Sequence, residues 1–340
     1  MPTEPIVRIT RGGYTESLHR GAAAVVNTEG TVLHQVGDPS HFTFARSSAK
    51  PLLAIPVLEK AAAEGTAFSP EEISLLCASH NGEPAHVRIV ENLLQKMGMS
   101  RDLLQCGAHE PFYKPAADAL REEGKAPTAL HNNCSGKHTG MLALSQLLNV
   151  SSGHYMDPQH PVQQLMLKAV SVMAGLPEAD IRLGTDGCGV PVFGMPLSNL
   201  AAAYARLGRP DSLGAARAEA CRQIVGAIRA FPFGIAGTGR FDTRLAEVTG
   251  GRIIGKMGAE AVFALTVPAE GLGIAVKVED GNLRALYPAV MEVLLQLGLL
   301  DGEESKELRS FHRPILHNWS GTKVGEIIPD FRLSSPPPVT

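Results

Sequence analysis

The chain has 340 residues, a formal net charge of −3, and 44% hydrophobic against 19% charged residues. That length and balance describe a globular protein with a large core, and the lack of any dense Lys/Arg block argues against a nucleic-acid surface. No apolar run approaches the roughly 20 residues that cross a bilayer. The opening MPTEPIVRITRGGY also lacks the basic start and apolar centre of a signal peptide, so a cytoplasmic location with no membrane partner is expected.

Residues 21–27 and 31–36 flank a Thr-Glu-Gly connection and read as a β-hairpin. From about Ser48 to residue 235 the pattern is mostly helical. In SPEEISLLC, Ser69 reads as an N-cap, Pro70 as the first helical residue and Glu72 as the far side of a capping box. Helical spacing continues through 84–97, 115–123, 134–148, 158–174, 198–207 and 212–229. Strand character returns at 252–256, 260–267 and 271–278, followed by helices at 283–299 and 303–311 and a short strand at 324–328. SSPPPVT, residues 334–340, reads as a disordered tail. Two small strand groups are more stable as one sheet than as two. The order therefore predicts an α+β domain over 5–333, its antiparallel sheet drawn from both chain ends (about 5–46 and 240–330). A helical part, about 48–235, is inserted beside that sheet.

TFARSSAKPLL places Ser47 three residues before Lys50 at a helix start, where i and i+3 share a face. A neutral lysine can take a serine proton and set up covalent catalysis. Free lysine titrates at about 10.4, and lowering that by roughly three units costs about 4 kcal/mol, which burial or a second cation can supply. A second lysine is therefore required, and IIGKMGAEA offers Lys256 ending an apolar strand, with Gly258 leaving the backbone open to close approach. Three look-alikes lack that context. Lys96-Met97-Gly98 ends an amphipathic helix, while Lys323-Val324-Gly325 and the second Ser-x-x-Lys, Ser320 to Lys323, lie near the C-terminus. CASHNGEP adds Ser79-His80-Asn81 in a polar turn, which alone is ordinary turn chemistry.

Five cysteines without regular spacing do not make a disulfide framework, and Cys77, Cys106 and Cys221 read as small core residues. Cys134 and Cys188 differ. In LHNNCSGKHTGML, Asn133 reads as an N-cap, which puts Cys134 in a first helical turn with Lys137 and His138 on the same face. GTDGCGVP places Asp186 and Cys188 in a glycine-flanked loop after a strand. Two readings stay open: zinc held by two thiolates and a nitrogen ligand, or Cys134 as a nucleophile with His138 as its base. The spacing is not that of a zinc finger. His34, His154, His160, His312 and His317 read as surface or packing residues.

Ser-x-x-Lys, Ser-x-Asn and Lys-x-Gly in this order resemble the arrangement of serine β-lactamases and penicillin-binding proteins. More closely, ARSSAKP, ASHNGEP, HNNCSGKHTGML, TDGCGVP and GKMGAEA resemble the L-asparaginase II family of the rhizobial type. The likeness spans about residues 5 to 330, including an R-x-x-x-x-E-S-x-H opening from Arg11 to His19. It implies a β-lactamase-like fold, a homodimer, and hydrolysis of L-asparagine through a serine acyl-enzyme. Ser47 would be the nucleophile with Lys50 as partner, and Ser79 with Lys256 a second Ser–Lys pair. Cys134, Lys137 and Cys188 match the positions that hold zinc in that family. Arg46 is the candidate for the substrate carboxylate and Asp186 for its ammonium. His80, Asn81 and Gly258 complete the expected substrate site, with the oxyanion held by N–H groups of Ser47 and of the strand beyond Lys256. The alternatives are a glutaminase or β-lactam hydrolase using the same site, a zinc-dependent amidohydrolase, and an amino-acid-binding protein without activity.

Overall fold

The structure is a computed structural model that describes residues 2–336. Its strands, in chain order, are β1 Glu4–Arg11, β2 Tyr14–Val26, β3 Val32–Val36, β4 Phe42–Phe44, β5 Arg182–Thr185 and β6 Pro191–Pro196. There follow β7 Ile254–Gly258, β8 Val262–Val267, β9 Leu272–Val278, β10 Ile315–His317 and β11 Lys323–Pro329. Eight of them form an antiparallel sheet in the order β10-β11-β1-β2-β9-β8-β7, with β3 pairing the second half of β2. The two chain ends meet where Gly21–Val26 of β2 runs beside Val278–Gly273 of β9. This is the expected sheet from both ends, with the helical region between them.

β2 explains why the strand pattern reads as a continuous apolar run. Its side chains alternate between two faces, and both faces are covered. Ala22, Ala24 and Val26 pack into the core shared with the helical region, while Ala23 and Val25 pack into a second core under helix Leu283–Gln296.

Several elements depart from expectation. β1 and the first half of β2 are a hairpin that the sequence reading left out, turning at Gly12 and Gly13 with φ of 56° and 87°. β10 was likewise unread, because three residues carry too little periodicity. The helix expected over 303–311 is two short ones, Gly302–Glu307 and Arg309–His312. The expected tail is partly ordered: Ser334 and Gln35 exchange backbone hydrogen bonds of 2.8 and 2.9 Å, while residues 337–340 lie outside the described residues. The short sheet β4-β6-β5 was not anticipated as a sheet, and it matters most for the site. β4 leads into the Ser47 turn and the β5–β6 connection carries Cys188.

Helix Leu197–Gly208 packs on the central strands at β9, and Gly273 sets how closely. A Cβ at Gly273 would stand 1.9 Å from the carbonyl oxygen of Ala201 and 2.4 Å from the nitrogen of Ala205. Both are rigid helix backbone. Gly273→Ala is therefore expected to destabilise the fold by about 1–3 kcal/mol or more through overpacking, read as a lower urea midpoint at unchanged m-value.

Candidate active site

Ser47 sits on a 3₁₀ turn, Arg46–Ala49, between β4 and helix Lys50–Ala63. The turn is held on several sides. Ala45 donates its N–H to Phe193 of β6 at 2.9 Å, Ser48 Oγ donates to Ala45 O at 2.6 Å, and the Tyr204 hydroxyl donates to Ser48 O at 2.7 Å. Arg46, just before the serine, has φ of 50°, a left-handed conformation that costs a non-glycine residue of order 1 kcal/mol. β7 presses on the turn from the other side. A Cβ at Gly258 would lie 2.6 Å from Ala45 O and 3.1 Å from Ser48 N. The partner that needs Gly258 bare is therefore the Ser47 turn.

Lys50 is buried, and its three ammonium protons go to Ala78 O at 2.6 Å, Ser79 Oγ at 2.9 Å and Asn133 O at 3.3 Å. The helical spacing pointed Lys50 at Ser47, but regular helix begins only at Lys50, and its side chain turns to the chain just past helix Pro70–Leu76. Ser47 and Ser79 nevertheless line one cavity of about 500 Å³, with Asn133, Arg240, Met257 and Tyr287 among its other walls. Burial lowers the pKa of Lys50; Cys134 opposes this and Lys137 adds to the lowering.

Lys256 is fully buried and donates to Met257 O at 2.8 Å, with Asp242 Oδ1 at 3.5 Å. Burial takes its pKa down to about 7, against the pull of Asp242 and with the help of Lys50 and Arg240. The two lysines thus share a field, as the sequence argument required, although the cation acting on Lys50 is Lys137. Asp242 was missed by sequence reasoning. It lies in the first turn of helix Phe241–Val248, where an acid looks like ordinary dipole complementation. Here it is wholly buried and accepts the Met257 N–H at 2.7 Å, and its Oδ2 has no protein partner. Met257 N–H is therefore engaged, and Ala259, the residue after β7, lines the cavity.

Cys134, Lys137 and Cys188 are buried together beside Lys50. Cys134 is itself the N-cap of helix Ser135–Leu147, so the helix starts one residue later than expected. The N–H of Cys134 donates to Asn132 Oδ1 at 2.8 Å, and Asn133 turns its carbonyl to Lys50. Lys137 Nζ lies 3.0 Å from Cys188 Sγ. A hydrogen bond from Cys188, with Lys50 and Lys137 nearby, overcomes burial and holds the Cys134 thiol well below its usual range. The neighbouring Cys134, together with burial, raises the pKa of Cys188. Burial works against the Lys137 charge, but the two sulfurs and Asp186 outweigh it and raise its pKa. His138 Nδ1 meets the Tyr155 hydroxyl at 2.7 Å, and no side-chain hydrogen bond joins its ring to Cys134.

Four expected substrate contacts are occupied within the protein. Arg46 Nε and Nη2 both meet Asp186 Oδ1, at 2.9 and 2.8 Å, so the two residues assigned to opposite ends of the substrate neutralise each other. His80 is buried with both ring nitrogens used: Nδ1 accepts the Gly82 N–H at 3.1 Å and Nε2 meets Ser135 Oγ at 2.8 Å. Asn81 is buried too. Its amide donates to Glu83 Oε1 and Thr238 O, and its Oδ1 accepts from Arg240 Nη1 at 3.0 Å.

The sequence profile of the L-asparaginase II family matches residues 7–329. The chain belongs to that family. It is thus an amidohydrolase that binds an amide substrate. Among curated proteins none matches it. Solved structures similar to it include a β-lactamase from Mycobacterium bovis, at 18% identity and TM-score 0.45, covering 82% of this chain and 95% of that one. Mglu in its native form shows 15% identity and TM-score 0.47, with 83% of this chain and 62% of that one covered. The D-alanine carboxypeptidase AmpC from Burkholderia cenocepacia shows 14% identity and TM-score 0.39, covering 80% and 93%.

Family membership also frames the sulfur cluster. No group of three or more His, Cys, Asp and Glu side chains that could hold a metal occurs among the described residues. Any ion at this place would therefore need the Lys137 amine as its third donor. No helix among the described residues is long and apolar enough to cross a membrane.

The depressed pKa of Lys256 has a consequence for stability. Between its folded pKa of about 7 and its ordinary 10.5, the unfolded chain binds a proton that the folded chain does not, so this group's contribution to stability rises with pH across that window. Below about pH 7 both states carry the charge and the burial penalty is constant. Urea unfolding of wild type and Lys256→Met from pH 6 to 10 should show the stability difference moving in favour of wild type as pH rises. A flat difference would mean that Lys256 is charged when folded throughout.

Proposed function

We propose that this protein is an L-asparaginase acting through a serine acyl-enzyme. The observation that carries the reading is the union of Ser47 and Ser79 on one cavity with two buried lysines of lowered pKa, one of them hydrogen-bonded to Ser79. In this reading Ser47 Oγ attacks the side-chain amide carbon of L-asparagine as its proton passes by way of Ser79 to Lys50, which burial draws towards its neutral form. The N–H groups of Ser47 and Ala259 receive the oxyanion. The proton returns through Ser79, with Lys256 near neutrality setting the charge of the relay, to the departing nitrogen. The C–N bond breaks, ammonia leaves, and water attacks the aspartyl ester to free L-aspartate and Ser47.

Cys134, Lys137 and Cys188 are the residues that would hold a zinc ion. Two sulfurs and an amine lie together there, a donor set that would suit zinc once the Lys137 amine and the Cys188 thiol give up their protons. When bound, the ion would supply a fixed positive charge beside Lys50 in place of the charge on Lys137. The attacking oxygen is Ser47's own, so the ion's part is structural or substrate-positioning.

The rival within the same chemistry is a glutaminase. One methylene in a pocket is worth only about 1–3 kcal/mol of discrimination, so comparing kcat/KM for the two amides decides it. Ammonia release from L-asparagine and L-glutamine should be measured for wild type and Ser47→Ala, each with and without chelator, alongside the metal content. Ser47→Ala is expected to lose on the order of 10⁴-fold or more in kcat, with asparagine preferred by wild type and chelation only weakening it. Activity that survives Ser47→Ala but not chelation would move the chemistry to Cys134, Cys188 and a metal-bound hydroxide.

A further inference from the structure

An α-amino acid presents two opposite charges on one carbon, and a site that selects it needs a cation and an anion whose own charges are not already spent. Arg46 and Asp186 fail that test, since they are spent on each other. Two other charged residues pass it. Arg240 and Glu260 both line the cavity that holds Ser47 and Ser79. Among the described residues neither forms an ion pair within 4.0 Å; Lys277 stands in the field of Glu260 but donates to the backbone carbonyls of Glu260 and Val278.

Both are held as if their position matters. Arg240 ends the loop Gly237–Arg240, which Glu83 fastens: Thr238 N and Oγ1 donate to its two oxygens at 2.8 and 2.7 Å. Asn81 ties the same loop by accepting from Arg240 Nη1 and donating to Thr238 O. A Cβ at Gly237 would stand 2.3 Å from Glu83 Oε1, so the loop lies directly on its anchor. One Arg240 N–H is used on Asn81, which fixes the guanidinium while leaving further donors for a ligand. Glu260 sits in the β7–β8 turn, where it and Ala261 adopt φ of 62° and 52°. Two successive non-glycine residues in left-handed backbone store strain, a feature of functional turns. The carboxylate of Glu260 rests against Gly281, itself a wall of the cavity, where a Cβ would come within 2.6 Å of Oε2. A side chain at Gly281 would crowd the acid.

We infer that Arg240 binds the α-carboxylate and Glu260 the α-ammonium of the amino-acid substrate, making this pair the selector for a free amino acid at the Ser47 cavity. The inference rests on the proposed acyl-enzyme reading for its choice of substrate. Asn81 and Glu83 are then positioning residues that act through Arg240.

The test uses substrates that lack one charge. L-Asparagine α-amide has no carboxylate, and succinamate has no ammonium; each keeps the reacting amide. Arg240→Gln should raise KM for L-asparagine roughly 10- to 100-fold, the worth of a charge-assisted hydrogen bond, while leaving KM for the α-amide at its wild-type value. Glu260→Gln should do the same for L-asparagine and leave succinamate unchanged. Arg240→Lys and Glu260→Asp should recover part of the loss, which a misfolded site would not allow. Equal losses on charged and uncharged substrates, or no change in KM, would overturn the assignment. L-Aspartate binding by calorimetry separates this inference from the reading beneath it. Wild type that binds L-aspartate but releases no ammonia from L-asparagine, with binding lost in both variants, would sink the enzyme reading and keep the clamp. Turnover of L-asparagine with unchanged KM in both variants would do the reverse.

Discussion

The burial of the Lys50 ammonium is the constraint on which the site depends. A charge taken into the interior must find hydrogen-bond partners or give up its proton. Lys50 does some of each: it is pulled towards neutrality by burial, yet three acceptors from two separate segments converge on it. Those acceptors bring the chain after helix Pro70–Leu76 and the chain before helix Ser135–Leu147 to the start of helix Lys50–Ala63. Ser79 and Asn133 reach the cavity because Lys50 draws their neighbourhood together.

Around that centre the electrostatics form a chain of neighbours. Lys50 touches the field of Lys137 and Cys134 on one side and that of Lys256 on the other. Asp242 and the Met257 carbonyl hold Lys256, while Asp186 steadies Lys137 and is itself paired with Arg46. The sulfur–amine cluster and the Ser–Lys group are therefore one electrostatic unit. A change of charge at Cys134 or Lys137 acts on Lys50 directly.

Much of this was legible along the chain. Strand and helix periods gave the sheet from both ends and most helices, since a strand buried on both faces and an amphipathic helix leave distinct patterns. The motif spacing singled out Ser47, Lys50, Ser79, Lys256, Cys134 and Cys188, the family resemblance added Lys137, and the structure gathers all seven around the cavity and the cluster beside it. Arg46, Asp186, His80 and Asn81 were legible as neighbours of the site but not in their roles. A sequence shows that a charge or amide is nearby; it does not show whether a partner far along the chain has already taken it. Asp186 lies 140 residues from Arg46, and Glu83 lies 155 residues from Thr238.

What the sequence determined by itself is the inventory: which residue types occur, at which spacing, and on which kind of element. Local sterics and hydrogen-bond rules suffice for that, because a turn, a cap or an alternating strand is settled within a few residues. Only the tertiary structure decided the pairings. Lys50 meets Ser79 rather than the serine on its own turn, Asp242 holds Lys256 from an unremarkable helix start, and Gly258 lies bare against the Ser47 turn. Each is a contact between segments brought together by packing, where burial multiplies the value of a satisfied charge and the cost of an unsatisfied one. Spacing along the chain carries no record of that.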